Sequence, residues 1–158
     1  MEISASVRIL IVDDHEVVRQ GVRGILARLR PEWVVIGEAG NGKEAIQAAA
    51  SANPDVIILD ITMPVMSGLE AASRIAKMGL PSRILIFTMH ESPTLISDVQ
   101  RAGAHGYVQK TRAASDLVVA IESLLGGGTF FGLPVRSEEK KDEYPNHGLS
   151  FADAFTTA

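Results

Sequence analysis

The chain of 158 residues contains no cysteine, which excludes disulfides, thiol catalysis and cysteine-ligated zinc. It also lacks any long apolar run. The longest near the N-terminus is about six residues, short of the roughly 7–15 of a signal-sequence core and the ~20 of a membrane span. A cytoplasmic protein without membrane attachment is the expectation. Nor is there an excess of positive charge. A formal net charge of −4 and a pI near 5.5 argue against the broad basic surface that neutralises nucleic-acid phosphates, and so against direct DNA binding. Arg19, Arg23, Arg28 and Arg30 gather on one early helix, an arrangement that reads as a solvated face. No internal repeat is found. The remaining composition, 46% hydrophobic and 22% charged, is ordinary for an α/β protein and excludes disorder of the whole chain.

What is present is a set of polar side chains at the ends of apolar runs. Asp13 and Asp14 close Val7-Arg8-Ile9-Leu10-Ile11-Val12, and Asp60 closes Asp55-Val56-Ile57-Ile58-Leu59. Arg83-Ile84-Leu85-Ile86-Phe87 ends at Thr88, and Gly106-Tyr107-Val108-Gln109 ends at Lys110. Trp33-Val34-Val35-Ile36-Gly37-Glu38 makes a fifth strand-like run.

Between these runs lie helical patterns. Val18, Val22, Ile25 and Leu29 recur at steps of four, three and four, so residues 16–30 read as a helix that Pro31 ends. Asn41-Gly42-Lys43-Glu44 and Ser67-Gly68-Leu69-Glu70 resemble capping boxes. The first opens a helix with Ala45, Ile46, Ala49 and Ala50 inward. Ser92-Pro93 reads as a cap with proline at the first helical position, before Leu95, Ile96 and Val99 facing the core. Leu117, Val118, Ile121, Leu124 and Leu125 mark a last helix, and Gly126-Gly127-Gly128 ends it. Five strands alternating with five helices predict a doubly wound five-stranded parallel sheet, (βα)5, covered on both faces. In such sheets a ligand sits beyond the carboxyl ends of the strands, where strand order reverses. Asp13, Asp14, Asp60, Thr88 and Lys110 all fall on that edge.

Three carboxylates brought together repel one another and raise their pKa values unless a cation relieves them, so a divalent metal is expected. The candidate ligands are hard oxygens, which favours Mg²⁺, or Mn²⁺ in its place, over Zn²⁺. Asp60 can then act as a nucleophile toward phosphorus, with Lys110 cancelling charge on the transferring oxygens and Thr88 donating its hydroxyl. Singly, Asp13 and Asp14 also read as helix caps, Asp60 as a turn cap and Lys110 as a solvated strand end. Their gathering at one sheet edge favours the site.

These residues, with Met63-Pro64, Gly68 and Ala102-Gly103-Ala104-His105-Gly106-Tyr107, resemble the receiver domain of two-component response regulators, a flavodoxin-like fold, over about residues 6–127. Asp13-Asp14-His15-Glu16-Val17-Val18-Arg19 and Gly37-Glu38-Ala39 through Glu44-Ala45 are similar to the NarL/FixJ-type receivers. The resemblance implies Asp60 as phosphoacceptor, Asp14 as a direct Mg²⁺ ligand, Asp13 as an acidic-pocket residue acting mainly through water, and the Thr62 carbonyl as a further ligand. It makes Thr88 and Lys110 the phosphoryl-sensing pair and Tyr107 the aromatic switch. Thr62 and His90, two residues after Asp60 and Thr88, are expected to set the lifetime of the aspartyl phosphate. The donor implied is a sensor histidine kinase or phosphotransfer protein. The output is a downstream protein partner, with a homodimer as a further option.

Two departures stand out. Thr111 follows Lys110 where many receivers carry proline, which is expected to loosen the strand-to-helix turn. Residues 128–158 do not match the helix-turn-helix domain into which NarL/FixJ-type regulators continue; Arg136-Ser137-Glu138-Glu139-Lys140-Lys141-Asp142-Glu143 reads as a mobile linker. Leu149, Phe151 and Phe155 form at most a short sticky face. The expectation is a stand-alone receiver that assists its own phosphorylation and dephosphorylation and is otherwise no enzyme. The alternatives are a fragment of a transcriptional regulator, a phosphorylation-independent interaction module, and an aspartate-nucleophile phosphatase of the haloacid-dehalogenase type. The last needs a second aspartate where Thr62 stands.

Overall fold

The computed structural model describes residues 6–131. Each apolar run becomes a strand: β1 (Arg8–Val12), β2 (Val34–Ala39), β3 (Val56–Leu59), β4 (Arg83–Thr88) and β5 (Gly106–Gln109). They form one parallel sheet in the order β2-β1-β3-β4-β5. Between them run α1 (Glu16–Leu29), α2 (Gly42–Ala52), α3 (Gly68–Lys77), α4 (Leu95–Arg101) and α5 (Ala113–Leu125).

The two-residue period of a strand sends alternate side chains to opposite faces, and both faces here are apolar. Ile9, Ile11, Val56, Ile58, Leu85 and Phe87 pack with α1 and α5. Leu10, Val12, Ile57, Leu59, Ile84 and Ile86 pack with α2, α3 and α4. The chain leaves β1 toward β2 on one side and returns to β3 on the other, so strand order reverses between β1 and β3. Their ends are level: Val12 pairs with Leu59, the Asp60 amide donates to the Val12 carbonyl at 3.0 Å, and the Asp13 amide donates to the Ala39 carbonyl at 3.0 Å.

Several helical details differ from the sequence reading. Leu29, Ile96 and Leu125 are exposed, as is Ala50. Leu26 takes the α1 core position, and on α2 Ala45 and Ala49 fill the buried stripe that Ala50 misses by most of a half turn. Helix α4 begins two residues after Pro93, with Thr94 as its N-cap, and buries Leu95 and Val99 at i and i+4, while Ile96 lies about 100° round the helix from Leu95 and faces out. The capping expectations at α2 and α3 hold, Asn41 accepting from the Glu44 amide and Ser67 from the Glu70 amide. The turn at Thr111 is a formed 3-10 helix, Lys110–Arg112, that runs directly into α5.

The fold also continues past the glycines. Phe130, assigned by sequence to the tail, pairs with Gly106 in a parallel bridge and is 7% exposed within the α1–α5 side of the core. The Tyr107 amide donates to the Phe130 carbonyl at 2.8 Å, and the Phe130 amide to the His105 carbonyl at 3.1 Å. Gly106 permits this approach, since a Cβ there would lie 2.4 Å from the Phe130 oxygen. The charged linker and the Leu149, Phe151 and Phe155 face fall outside the described residues. Among the described residues, no helix is long and apolar enough to cross a membrane.

Candidate functional site

The polar side chains at the carboxyl edge are drawn inward rather than solvated. Asp13 is 1% exposed, Asp60 5%, Thr88 0% and Lys110 4%. Lys110, entering from the end of β5, reaches across the sheet to place Nζ 2.6 Å from Asp13 Oδ2 and 3.4 Å from Asp60 Oδ2. Lys110 is therefore a buried cation between two buried carboxylates, not a solvated strand end. Asp60 Oδ1 accepts the Ile61 amide at 2.8 Å, which turns Oδ2 toward Lys110.

Burial is the largest influence on Asp60 and raises its pKa from 3.8 to about 6. Lys110 opposes the rise, and the charge of Asp13 adds to it. The group is thus ionised at neutral pH, yet held in a position where its charge is poorly compensated. A cation arriving there relieves that burden.

Asp14 is more exposed and meets Asp13 through His15. His15 Nδ1 lies 3.0 Å from Asp14 Oδ1 and 3.2 Å from Asp13 Oδ1, and the His15 amide donates to Asp13 Oδ1 at 2.9 Å. Ligand atoms of Asp13, Asp14 and His15 all fall within 4.8 Å of one another. The α1 N-cap is His15, without a side-chain cap, so the helix-cap alternative for the two aspartates is not what the structure adopts. Sequence reasoning gave His15 no role of its own, although its place directly after the acidic pair was a usable signal.

Thr88 accepts the His90 amide at 3.0 Å, keeping its hydroxyl proton as a donor. The Thr62 hydroxyl and His90 Nε2 lie 2.6 Å apart, and Gln109 Nε2 donates to the His90 carbonyl at 2.8 Å. The β3–α3 and β4–α4 loops are thereby bridged at the rim. Tyr107 is partly buried and packs against the α2–α4 side of the core.

Gly68 passes so close to the Asp60 backbone that an added Cβ would lie 1.7 Å from the Asp60 carbonyl oxygen. The Gly68 amide donates to the Ile61 carbonyl at 2.7 Å. The start of α3 is in this way fixed to the peptide that carries Asp60.

The arginines of α1 lie on a partly solvated face, with Arg23 and Arg28 exposed, and three of the four carry ion pairs. Arg19 and Arg23 both pair with Glu38 on β2, Arg19 Nε at 2.6 Å, and Arg30 pairs with Glu122 on α5. Burial disfavours the Glu38 charge, but the Arg23 and Arg19 guanidiniums outweigh it and hold the carboxyl below its ordinary value.

The family model of the Response regulator receiver domain matches residues 9–122. The chain belongs to this receiver family. Among curated relatives, it is 33% identical over 124 residues to the transcriptional regulatory protein DegU of Brevibacillus brevis, covering 78% of this chain and 52% of DegU. It is 35% identical over 151 residues to the response regulator UvrY of Escherichia coli K12, covering 91% of this chain and 69% of UvrY. Among solved structures, a two-component response regulator of the LuxR family from Aurantimonas superposes with a TM-score of 0.76 at 35% identity, covering 89% of this chain and 100% of that one. The chain thus spans about half the length of DegU and about two thirds that of UvrY. Membership places it in two-component signalling, and the receiver match over residues 9–122 removes the haloacid-dehalogenase alternative.

Proposed function

We propose that this receiver accepts a phosphoryl group on Asp60 from a histidine kinase or phosphotransfer protein and thereby changes a protein-interaction surface. The observation that carries the reading is the buried Asp13–Lys110–Asp60 arrangement, because a carboxylate attacks phosphorus usefully only where charge on the transferring oxygens is cancelled in place. Asp60 Oδ2 forms the new bond to phosphorus, and the donor's imidazole departs with the electron pair of the broken bond. Lys110 holds the transferring oxygens, and Thr88 donates its hydroxyl to one of them. Asp13, Asp14, Asp60 and the Thr62 carbonyl are the ligands we assign to Mg²⁺ or Mn²⁺; this hard-oxygen donor set with its surplus negative charge fits such an ion. When bound, the ion neutralises charge on the phosphoryl oxygens.

To the Thr62–His90 bridge, formed by the residues two beyond Asp60 and Thr88, we assign the control of autodephosphorylation. Tyr107 carries the response to the β5 edge, biasing a two-state equilibrium rather than building a new fold. The setting we assign is the cytoplasm, and receiver function covers residues 6–127, extended through Phe130 by its packing. Intact-protein mass after incubation with a small-molecule phosphodonor tests the reading. One added phosphoryl group in wild type with Mg²⁺, absent from Asp60→Asn and from wild type with EDTA, supports it. No addition in any sample supports a phosphorylation-independent module. A second reading, a receiver working within a transcriptional regulator, is favoured by the relatives named above; salt-sensitive binding of the chain to duplex DNA supports it.

A further inference from the structure

Asp13 is tied at every polar atom. Its carboxylate takes Lys110 on Oδ2 and the His15 amide on Oδ1, and its amide donates to Ala39 on β2. Its carbonyl accepts Arg19 Nη1 at 2.6 Å. Arg19 lies one turn into α1, and helical side chains lean toward the N-terminus, so the guanidinium points back at the β1–α1 turn. The same guanidinium donates through Nε to Glu38, the β2 neighbour of Ala39. Both backbone groups of Asp13 are thus anchored to adjacent residues of β2, the amide directly and the carbonyl through Arg19.

We propose that Arg19, oriented by Glu38, is a positioning residue that fixes the Asp13–Asp14 peptide so that the acidic pair meets a divalent cation. This rests on the metal-dependent site proposed above. Arg23 is the internal control. It pairs with the other carboxylate oxygen of Glu38 one turn farther along α1, and its side chain is 45% exposed against 19% for Arg19. Charge alone makes the opposite forecast for Arg19, because deleting a cation beside an acidic site strengthens cation binding. Partners that orient metal ligands typically contribute 10–100-fold in metal affinity.

The test is calorimetric Mg²⁺ titration of the full chain as wild type, Arg19→Ala, Arg19→Lys and Arg23→Ala, with urea unfolding of each variant in parallel. The expected result is about tenfold weaker Mg²⁺ binding for Arg19→Ala, an intermediate loss for Arg19→Lys, which cannot span both partners, and a change below about twofold for Arg23→Ala. If Arg19→Ala does not fold, the contrast of Arg19→Lys with Arg23→Ala decides. Unchanged or tighter binding in the Arg19 variants, or equal weakening in Arg23→Ala, overturns the positioning role while leaving the site reading in place. Absence of Mg²⁺ binding in wild type overturns the site reading itself, and this inference with it.

Discussion

Replacing Asp60 with asparagine should stabilise the receiver at neutral pH, even though it removes a partner of Lys110. The Asp60 side chain is 7% exposed, so little solvent screening softens its environment. Burial lifts its pKa from 3.8 to about 6, and at about 1.4 kcal/mol per pH unit that rise corresponds to about 3 kcal/mol of folding free energy withheld while the group is ionised. Between pH 3.8 and 6 the folded chain binds more protons than the unfolded chain, so stability falls as pH rises through that window and levels off above it. The amide variant carries no such charge. Urea unfolding in chelator at pH 8 should show Asp60→Asn more stable by up to about 3 kcal/mol, a midpoint shift of about 1.5 M for an m-value near 2 kcal/mol per M. The gap should close toward pH 4. An Asp60→Asn protein less stable than wild type at pH 8, or an offset of equal size at pH 4 and pH 8, would refute the argument that desolvation outweighs the Lys110 attraction.

Lys110→Ala leaves the Asp13 and Asp60 carboxylates facing each other without their cation, and should cost about 3–5 kcal/mol in chelator at pH 8, partly restored by millimolar Mg²⁺, as read from urea midpoints. Gly68→Ala forces a Cβ into the Asp60 carbonyl; a loss near 3 kcal/mol together with slowed phosphorylation is expected, and an unperturbed variant would contradict the assigned contact. Phe130→Ala should cost about 3–5 kcal/mol, measured by thermal or urea unfolding, because its ring fills the core on the α1–α5 side. His90→Ala opens the Thr62–His90 bridge and should shorten the half-life of the aspartyl phosphate several-fold; an unchanged half-life would remove that bridge from the control of hydrolysis.

The strands were legible because β1, β3 and β4 are buried on both faces and therefore read as short continuous apolar runs ending in polar residues. Asp13, Asp60, Thr88 and Lys110 were legible for the same reason, since a parallel sheet brings strand ends to one edge whatever the loops do. Helix faces were harder. Ile96 and Leu125 are apolar and sit near the right period, but each lies at the margin of a stripe whose width the neighbouring elements set. Phe130 joins the fold by a single backbone bridge, which leaves no periodic trace in sequence. The contacts of His15 and Arg19 with the acidic pair depend on how the β1–α1 turn lies against β2, which the arginine spacing on α1 does not encode.

The most direct measurement concerns the acceptor itself. After incubation with phosphodonor and Mg²⁺, borohydride reduction converts an aspartyl phosphate to homoserine, which peptide mass spectrometry locates. The account predicts homoserine at position 60 alone, dependent on donor and on Mg²⁺. Homoserine at Asp13 or Asp14 in its place, or none at Asp60 in a protein shown to be folded, would contradict it.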